Sequence, residues 1–410
     1  MSRLQQLIID LCPKGVEYAA LGETCQKTYN ISWDDSHEQE FRYIDLTSVN
    51  RITHVIEETE VINSQNAPSR AQKIVKTGDI IFGTTRPTLK RYCFIPKEYD
   101  NQICSTGYCV LRANRSIVLP RYIFHHMGSN RFLLYVEANQ RGSTYPAISD
   151  SDIKKFSLPI PPLPIQQEIV RILDTFTALE AELEAELEKR KAQYEYYRKK
   201  YLSDLTSNGT KMKPLGEFCD LLTGYPFDSS QFSKEGIRLL RGMNVKRGLL
   251  DFTEPNNRYW FNKDGFEKFF MAKDDIVIAM DGSLVGKSFG IVEQLQLPLL
   301  LVQRVARIRA VKDNPHYIYH CIACGAFTDY VEKNKTAGAV PHISLKDISN
   351  FMIPVPSVKV QNEIASILDR FDALVNDITQ GLPAEIAARR KQYEYYRDKL
   401  LTFKRKEAAV

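Results

Sequence analysis

The spacing of apolar positions along the chain predicts two long amphipathic helices. In the first, Ile169, Ile172, Phe176, Leu179, Leu183, Leu187, Tyr194, Tyr197 and Tyr201 recur at intervals of three, four or seven. The second repeats the pattern with Ile364, Ile367, Phe371, Leu374, Ile378, Leu382, Ile386, Tyr393, Tyr396 and Leu400. Charged residues fill the other faces, so each helix has one narrow stripe to bury. Two such helices are expected to pack on each other as a coiled-coil pair. Ahead of each helix the pattern changes. Residues 78–82 and 274–279 read as short strands entered through a turn, and 120–132 and 315–330 as helices with proline in the first turn. The run Pro159-Ile-Pro-Pro-Leu-Pro164, echoed by Pro354-Val-Pro356, cannot continue a helix or a central strand and marks a boundary. The composition of these regions is α+β.

The chain also repeats itself. Gln193-Tyr-Glu-Tyr-Tyr-Arg198 recurs as Gln392-Tyr-Glu-Tyr-Tyr-Arg397, and Glu168-Ile-Val-Arg-Ile-Leu-Asp174 matches Glu363-Ile-Ala-Ser-Ile-Leu-Asp369. Pro146-Ala-Ile-Ser149 matches Pro341-His-Ile-Ser344, and Leu21-Gly-Glu23 matches Leu215-Gly-Glu217, with Cys25 and Cys219 in step. The separation is nearly constant up to Glu168 and Glu363, then grows by four residues before Gln193 and Gln392. A repeat of this kind sets the fold before any single motif does. The predicted architecture is two tandem α+β domains separated by two long coiled-coil helices. Its segments are 1–160 with a short N-terminal helix, a spacer helix over 161–206, a second globular domain over 207–356, and a second spacer helix with tail over 357–410.

The four extra residues equal about one helical turn, roughly 6 Å. The first helix there is a ladder of four-residue units: Leu179-Glu-Ala-Glu182, Leu183-Glu-Ala-Glu186, Leu187-Glu-Lys-Arg190. In the second, Gly381-Leu-Pro383 interrupts the ladder and predicts a break, with Pro383 in the first turn of a restarted helix. A helix over 166–203 would span roughly 57 Å, about one and a half turns of duplex at ~3.4 Å per base step. A helix made of whole four-residue units is a candidate ruler.

Composition narrows the class. With 43% hydrophobic residues in 410, a disordered chain is excluded. The densest apolar run, 297–302, is far short of a membrane span and contains a proline. At the N-terminus Asp10 cuts the Leu7-Ile-Ile9 run short of a signal peptide. Eight cysteines without regular spacing suit a reducing cytoplasm. The net charge is +5. Residues 166–205 carry −2 and 361–406 carry +2, so the excess lies on the globular halves.

Motifs for catalysis fail one by one. Asp281-Gly-Ser-Leu-Val-Gly-Lys287-Ser288 resembles a P-loop, but Gly282 stands one residue too close to Gly286-Lys287. Asn314-Pro-His-Tyr317 resembles the Asn-Pro-Pro-Tyr turn of adenine methyltransferases with His316 in place of the second proline; it reads better as a helix N-terminus. Cys321-Ile-Ala-Cys324 with His316 and His320 has no second ligand pair, and reads as a buried helical face. His37 and His54 have no discernible partners, and no Glu-x-Lys of a metal-dependent nuclease occurs. The chain reads as a non-catalytic protein with no metal.

Two variable α+β halves, each followed by a long helix with Gln167-Glu-Ile169, Ile172-Leu-Asp174 and Gln193 to Arg198, or their repeats, form a recognisable pattern. It resembles the specificity subunit of a type I restriction-modification system over essentially the whole chain. The tetrad ladder resembles the subclass with four-residue spacer repeats. The resemblance implies that the two long helices pack antiparallel and that each half is a target recognition domain reading one part of a bipartite, asymmetric double-stranded DNA site. It also implies docking of two methyltransferase subunits and of restriction/translocase subunits. S-adenosylmethionine and ATP belong to those partners, with no cofactor on this chain. The competing reading is a coiled-coil adaptor whose globular domains bind proteins.

Base and phosphate contacts favour Arg, Lys, Asn, Gln, Ser and Thr on loops. In the first half the candidates follow the strand over 78–82: Thr84, Thr85, Arg86, Thr88, Lys90 and Arg91. A second loop holds Arg141, Ser143 and Tyr145. The second half offers Asp281, Ser283 and Lys287, then Lys335, Thr336 and Gly338 on the matching loops. Arg238, Arg241, Asn244, Lys246 and Arg247 form a further basic cluster, with Gln303 and Arg304 beside it.

Overall fold

A computed structural model of the chain describes residues 2–36, 39–262, 264–377 and 380–406; His37 and Ile378 lie outside them. Its α-helices in chain order are α1 (Arg3–Leu11), α2 (Pro120–Gly128), α3 (Asn130–Asn139), α4 (Asp150–Lys154), α5 (Leu163–Ser207), α6 (Pro315–Ala323), α7 (Gly325–Asn334), α8 (Leu345–Asn350), α9 (Val358–Asn376) and α10 (Leu382–Leu400). The chain divides into two compact units. Unit 1 is Met1–Ala185 with Glu385–Val410, and unit 2 is Glu186–Ala384. The predicted segments give the order along the chain; the units group them in space, each taking a stretch of both long helical regions.

In unit 1 a four-stranded antiparallel sheet runs Cys25–Gln26, Tyr108–Ala113, Ile80–Gly83, Tyr92–Phe94. Ile80, Phe82 and Leu111 face α2 and α3, whereas Ile81, Cys93 and Val110 face a second core with Ile44 and Cys104. Both faces are covered, so the strand is an unbroken apolar run instead of an alternating one. A second sheet runs Glu60–Ile62, Phe41–Ile44, Ile103–Ser105, Ala71–Ile74, with the middle pair parallel. Unit 2 repeats the plan. Cys219–Thr223, Val305–Ala310, Ile276–Ala279 and Phe289–Ile291 form its antiparallel sheet. Ile237–Leu240 pairs parallel with Leu299–Leu301 and antiparallel with Tyr259–Trp260. The α+β reading and the tandem repeat hold.

The turn into each central strand is fixed by a buried ion pair. Asp79 takes Arg112 through Nε (3.0 Å) and Nη2 (2.7 Å) and accepts the Lys76 N–H at 2.8 Å. Asp275 does the same with Arg309, at 2.6 Å twice, and with the Ala272 N–H at 2.7 Å. Both carboxylates are about 1% exposed, which is tolerable because each is bidentately paired and bonded to backbone.

The segments predicted as single helices over 120–132 and 315–330 are each two. Ser129 and its counterpart in the repeat, Cys324, adopt extended backbone between α2 and α3 and between α6 and α7. Ser129 caps the new helix by accepting the Phe132 N–H, an arrangement an uninterrupted helix would forbid. Asn314 caps α6 by accepting the Tyr317 N–H at 3.0 Å with Pro315 behind it, so the Asn-Pro-His-Tyr stretch is a helix start. Cys321 and Cys324 are buried free thiols on α6 and at its end.

α5 is continuous over 45 residues, about 68 Å. Its counterpart is interrupted between α9 and α10, with Pro383 in the first turn of α10, as predicted. Gly381 sits so close to the end of α9 that a β-carbon would come within 2.6 Å of the Ala373 carbonyl oxygen. Within unit 1 the start of α5 and α10 run antiparallel: Phe176 stacks on Tyr396 with centroids 5.5 Å apart, and Arg390 bridges Glu180 and Glu184. The predicted stripe needs correction in α9. Ile367 and Leu374 are each 36% exposed, and the buried face is Gln361, Ile364, Ala365, Leu368 and Val375. The helix start packs into the globular core as well as along a helix, which rotates its apolar face.

Two devices, present once per unit, dock helices onto globular parts. Gln166 is fully buried; its Oε1 accepts the Leu119 N–H at 2.9 Å, and its Nε2 donates to Ile117 O and Pro161 O. Gln361 repeats this with Asn314 N, Pro356 O and Asp313. The second device is an Asp–His–Tyr chain in which the histidine and tyrosine are buried and the aspartate is half-buried. His125 Nε2 donates to Asp174 (2.8 Å) and its Nδ1 lies 2.9 Å from the Tyr393 hydroxyl. His320 Nε2 donates to Asp369 (2.8 Å), and its Nδ1 lies 3.2 Å from the Tyr194 hydroxyl, which donates to Asp372 at 2.9 Å. Burial pushes both imidazoles below their ordinary value, against the pull of the aspartates. Arg198, stacked 4.2 Å from the Tyr194 ring, donates to Ala323 O at the end of α6. The repeated Gln-Tyr-Glu-Tyr-Tyr-Arg motif is thus the docking face of a helix end.

Tyr393→Phe should strip His125 Nδ1 of its partner inside a dry site, costing about 1–3 kcal/mol. Amide exchange is expected to quicken across α2 and α10, while α6 and α9 stay as protected as before. Acid should loosen unit 1 first. Burial depresses His126 to about 3 and His54 to about 4, from an ordinary 6.5. Below pH ~6.5 the unfolded chain therefore binds protons that the folded unit refuses, and stability falls as pH falls. In unit 2 the depressed His320 acts in the same sense, but Asp369 raises His316, which works in the opposite one. Exchange protection measured at pH 7 and pH 5 should drop more in unit 1 than in unit 2.

Candidate nucleic-acid interface

In unit 1 the two predicted loops meet. Arg86 N–H donates to Pro146 O at 2.7 Å, Ile148 N–H donates to Thr84 O at 2.9 Å, and Thr85 bridges Ala147. This places the Arg86 guanidinium 4.6 Å above the ring of Tyr145, which is 67% exposed. Arg86 (φ 47°) and Lys90 (φ 54°) take left-handed backbone at the two ends of the turn Pro87–Leu89, which carries Thr88. Arg141 is exposed and faces Asp152 at 4.0 Å, and Ser143 is exposed beyond it. Arg91 is half-buried, with its Nε enclosed.

Unit 2 joins its loops through the same bonds. Gly282 N–H donates to Pro341 O at 3.1 Å and Ile343 N–H donates to Met280 O at 2.9 Å. A third loop enters from between the strands Leu299–Leu301 and Val305–Ala310: Met280 N–H donates to Arg304 O at 2.9 Å, as Thr84 N–H donates to Gly107 O at 2.8 Å in unit 1. The outcome is a depression of about 340 Å³ lined by Arg241, Gly242, Met243, Asp281, Gly282, Val302, Gln303, Arg304 and Val340. Asp281 accepts from Arg304 on one oxygen and pairs with His342 on the other. Burial pushes this carboxyl up, but Arg304 and His342 hold it below the usual carboxylate range. The rim is therefore charged at neutral pH and carries a fixed cation.

Residues 13–189 and 208–388 each match the family model described as the type I restriction modification DNA specificity domain. The chain belongs to this family. It carries the specificity domain twice, with mixed helix and sheet, in agreement with the resemblance read from its repeated helix motifs. It is 37% identical over 276 residues to the EcoR124I/EcoR124II specificity subunit of Escherichia coli, a match covering 63% of this chain and 66% of that one. It is 27% identical over 303 residues to a type I specificity subunit, S.HindORF215P, of Haemophilus influenzae, covering 69% and 72%. The match thus spans about two thirds of these relatives. A chain from a type I R-M system solved for its complex assembly and conformational transition superposes with TM-score 0.62 at 26% identity, covering 95% and 98%. The S subunit from M. genitalium shares the fold, with TM-score 0.57 at 15% identity over 94% and 96%.

Within this specificity-subunit fold the predicted residues sort by position. Arg86 and Tyr145 come together in unit 1, and Arg241, Gln303 and Arg304 in unit 2. Two predicted contacts are corrected: Thr84 and Asn244 point inward. The Thr84 hydroxyl donates to Gly107 O, and fully buried Asn244 accepts the Arg241 N–H and donates to Asp251 O. Their polarity serves turns. Arg238 lies 5.0 Å over Phe252, and Lys335 pairs with Glu332 at 2.6 Å. Lys246 and Arg247 form a hairpin beside Phe289, next to α6, and are not among the residues lining the depression. Ser283 and Lys287 are exposed on the loop after Asp281, and Thr336 closes the neighbouring loop by bonding His342. Sequence reasoning missed His342; in unit 1 the place of Arg241 is taken by Asp45, which follows Ile44 as Arg241 follows Leu240 and accepts from Thr47 and Ser48 in its own turn. Parallel pairing of both strands to the same neighbour reveals that equivalence; nothing in the local sequence does. Among the described residues no His, Cys, Asp or Glu cluster could hold a metal, and no helix is long and apolar enough to cross a membrane.

Asn244→Ala should cost about 1–3 kcal/mol of stability by leaving turn groups unpaired. Arg86→Ala should leave it within about 0.5 kcal/mol, since only an exposed stack is lost. Urea unfolding of both variants checks the division between turn-forming and surface groups.

Proposed function

We propose that the chain recognises a bipartite, asymmetric double-stranded DNA site, one part with each unit, and directs methyltransferase and restriction/translocase subunits to it. The observation that carries this reading is the duplicated scaffold with unlike loops. Both units join equivalent loops by the same backbone bonds, yet one presents Arg86 on Tyr145 and the other Arg304 on Asp281. A shared frame holding different polar side chains suits two different half-sites and a non-palindromic whole.

In this reading the chain carries no chemistry. Two methyltransferase subunits supply S-adenosylmethionine-dependent methylation, the restriction/translocase subunits supply ATP hydrolysis and cleavage, and the assembly is cytoplasmic. The modest +5 charge leaves much of the phosphate grip to those partners. The four-residue ladder of α5 acts as the spacer that sets the unread gap.

Mapping methylated adenines genome-wide with and without the gene tests the reading: the motif should vanish with the gene. Deleting 183–186 should shorten the gap by one or two base pairs and leave both half-sites intact. An unchanged gap with modification retained would sink the ruler.

A further inference from the structure

Arg304 is placed at a cost. It holds φ 70°, a left-handed backbone that side chains avoid, in the turn between the strands Leu299–Leu301 and Val305–Ala310. The equivalent position in unit 1 is Gly107, identified by the carbonyl that accepts Thr84 N–H there and Met280 N–H here. Unit 1 makes the same carbonyl bond from a glycine that stays out of the left-handed region, so the fold requires neither the arginine nor its backbone strain.

The side chain is 63% exposed over the depression, and the structure pairs it through Nη1 with Asp281. Asp281 is itself held on its other oxygen by His342 and is only 16% exposed. The guanidinium is therefore braced from behind and open in front, with Gln303 and Arg241 beside it. A planar, braced guanidinium matches the two acceptors, O6 and N7, that guanine shows in the major groove. Bracing removes rotamer freedom before binding, which favours direct readout over loose phosphate contact.

Resting on the DNA-reading function proposed above, we infer that Arg304 reads one guanine of the half-site met by unit 2, with Asp281 as its positioning residue. Unit 1 has Gly107 and Thr85 at the two positions and cannot read its half-site this way.

The test is the methylated-adenine motif in cells expressing the full chain with its partner subunits, as wild type, Arg304→Gln, Arg304→Ala and Asp281→Asn. Both Arg304 variants are expected to lose discrimination by roughly tenfold or more at one G·C pair, leaving every other position unchanged. Arg304→Gln should shift that position towards adenine. Asp281→Asn should weaken the same position and no other. A motif unchanged in the Arg304 variants overturns the assignment. So does a uniform loss of modification at all sites with unfolding midpoints unaltered, which marks a phosphate contact. A wild-type chain that yields no methylated motif overturns the DNA-reading function itself, and is thereby told apart.

Discussion

Each unit depends on a largely buried polar chain that ties a helix end to a globular part. Asp174, His125 and Tyr393 form it in unit 1, and Asp369, His320 and Tyr194 in unit 2. Its members come from three separate segments, and the fully buried histidine and the buried tyrosine would be costly to bury unpaired. Together, with Asp372 accepting from the Tyr194 hydroxyl in unit 2, they hold the helix end at one rotation and one depth. A purely apolar contact would permit sliding by a residue. The buried glutamines Gln166 and Gln361 fix the helix starts by the same logic.

This constraint explains why the helix motifs repeat so closely while the loops do not. Tyr194, Gln361 and Asp369 have partners dictated by geometry, and their repeats Tyr393, Gln166 and Asp174 meet the equivalent groups; Arg198 and Arg397 share the stacking on their tyrosines. Loop residues such as Tyr145 or Gln303 have no such obligation. What the loops share is backbone: Thr84 and Met280 make the same two main-chain bonds with unlike side chains. The scaffold therefore presents variable chemistry without changing shape, as a family of DNA specificity domains requires.

Much of the fold was legible because it rests on periodicity. The strand Ile276–Ala279, the break before Pro383 and the α6 start at Asn314 and Pro315 all follow from local patterns. The split of the 120–132 and 315–330 segments was not legible. Ser129 and Cys324 look like ordinary helix residues, and only the cap on Phe132 and the packing of α3 mark the break. The rotated face of α9 was hidden for a related reason, since Ile367 and Leu374 have helical spacing but lie off the buried side.

The sequence by itself determined the duplication, the family, the long helices and the set of loops to inspect, because repeated motifs and hydrophobic spacing are properties of the chain. Only the tertiary structure decided which residues on those loops act together. Asp281, Arg304 and His342 are far apart in sequence and meet through a strand turn and a bridged loop. Thr84 and Asn244 have the same composition cues as their exposed neighbours and were separated from them by burial alone. Side-chain direction at a turn depends on which backbone groups the turn must satisfy, and that is settled by contacts distant in the chain.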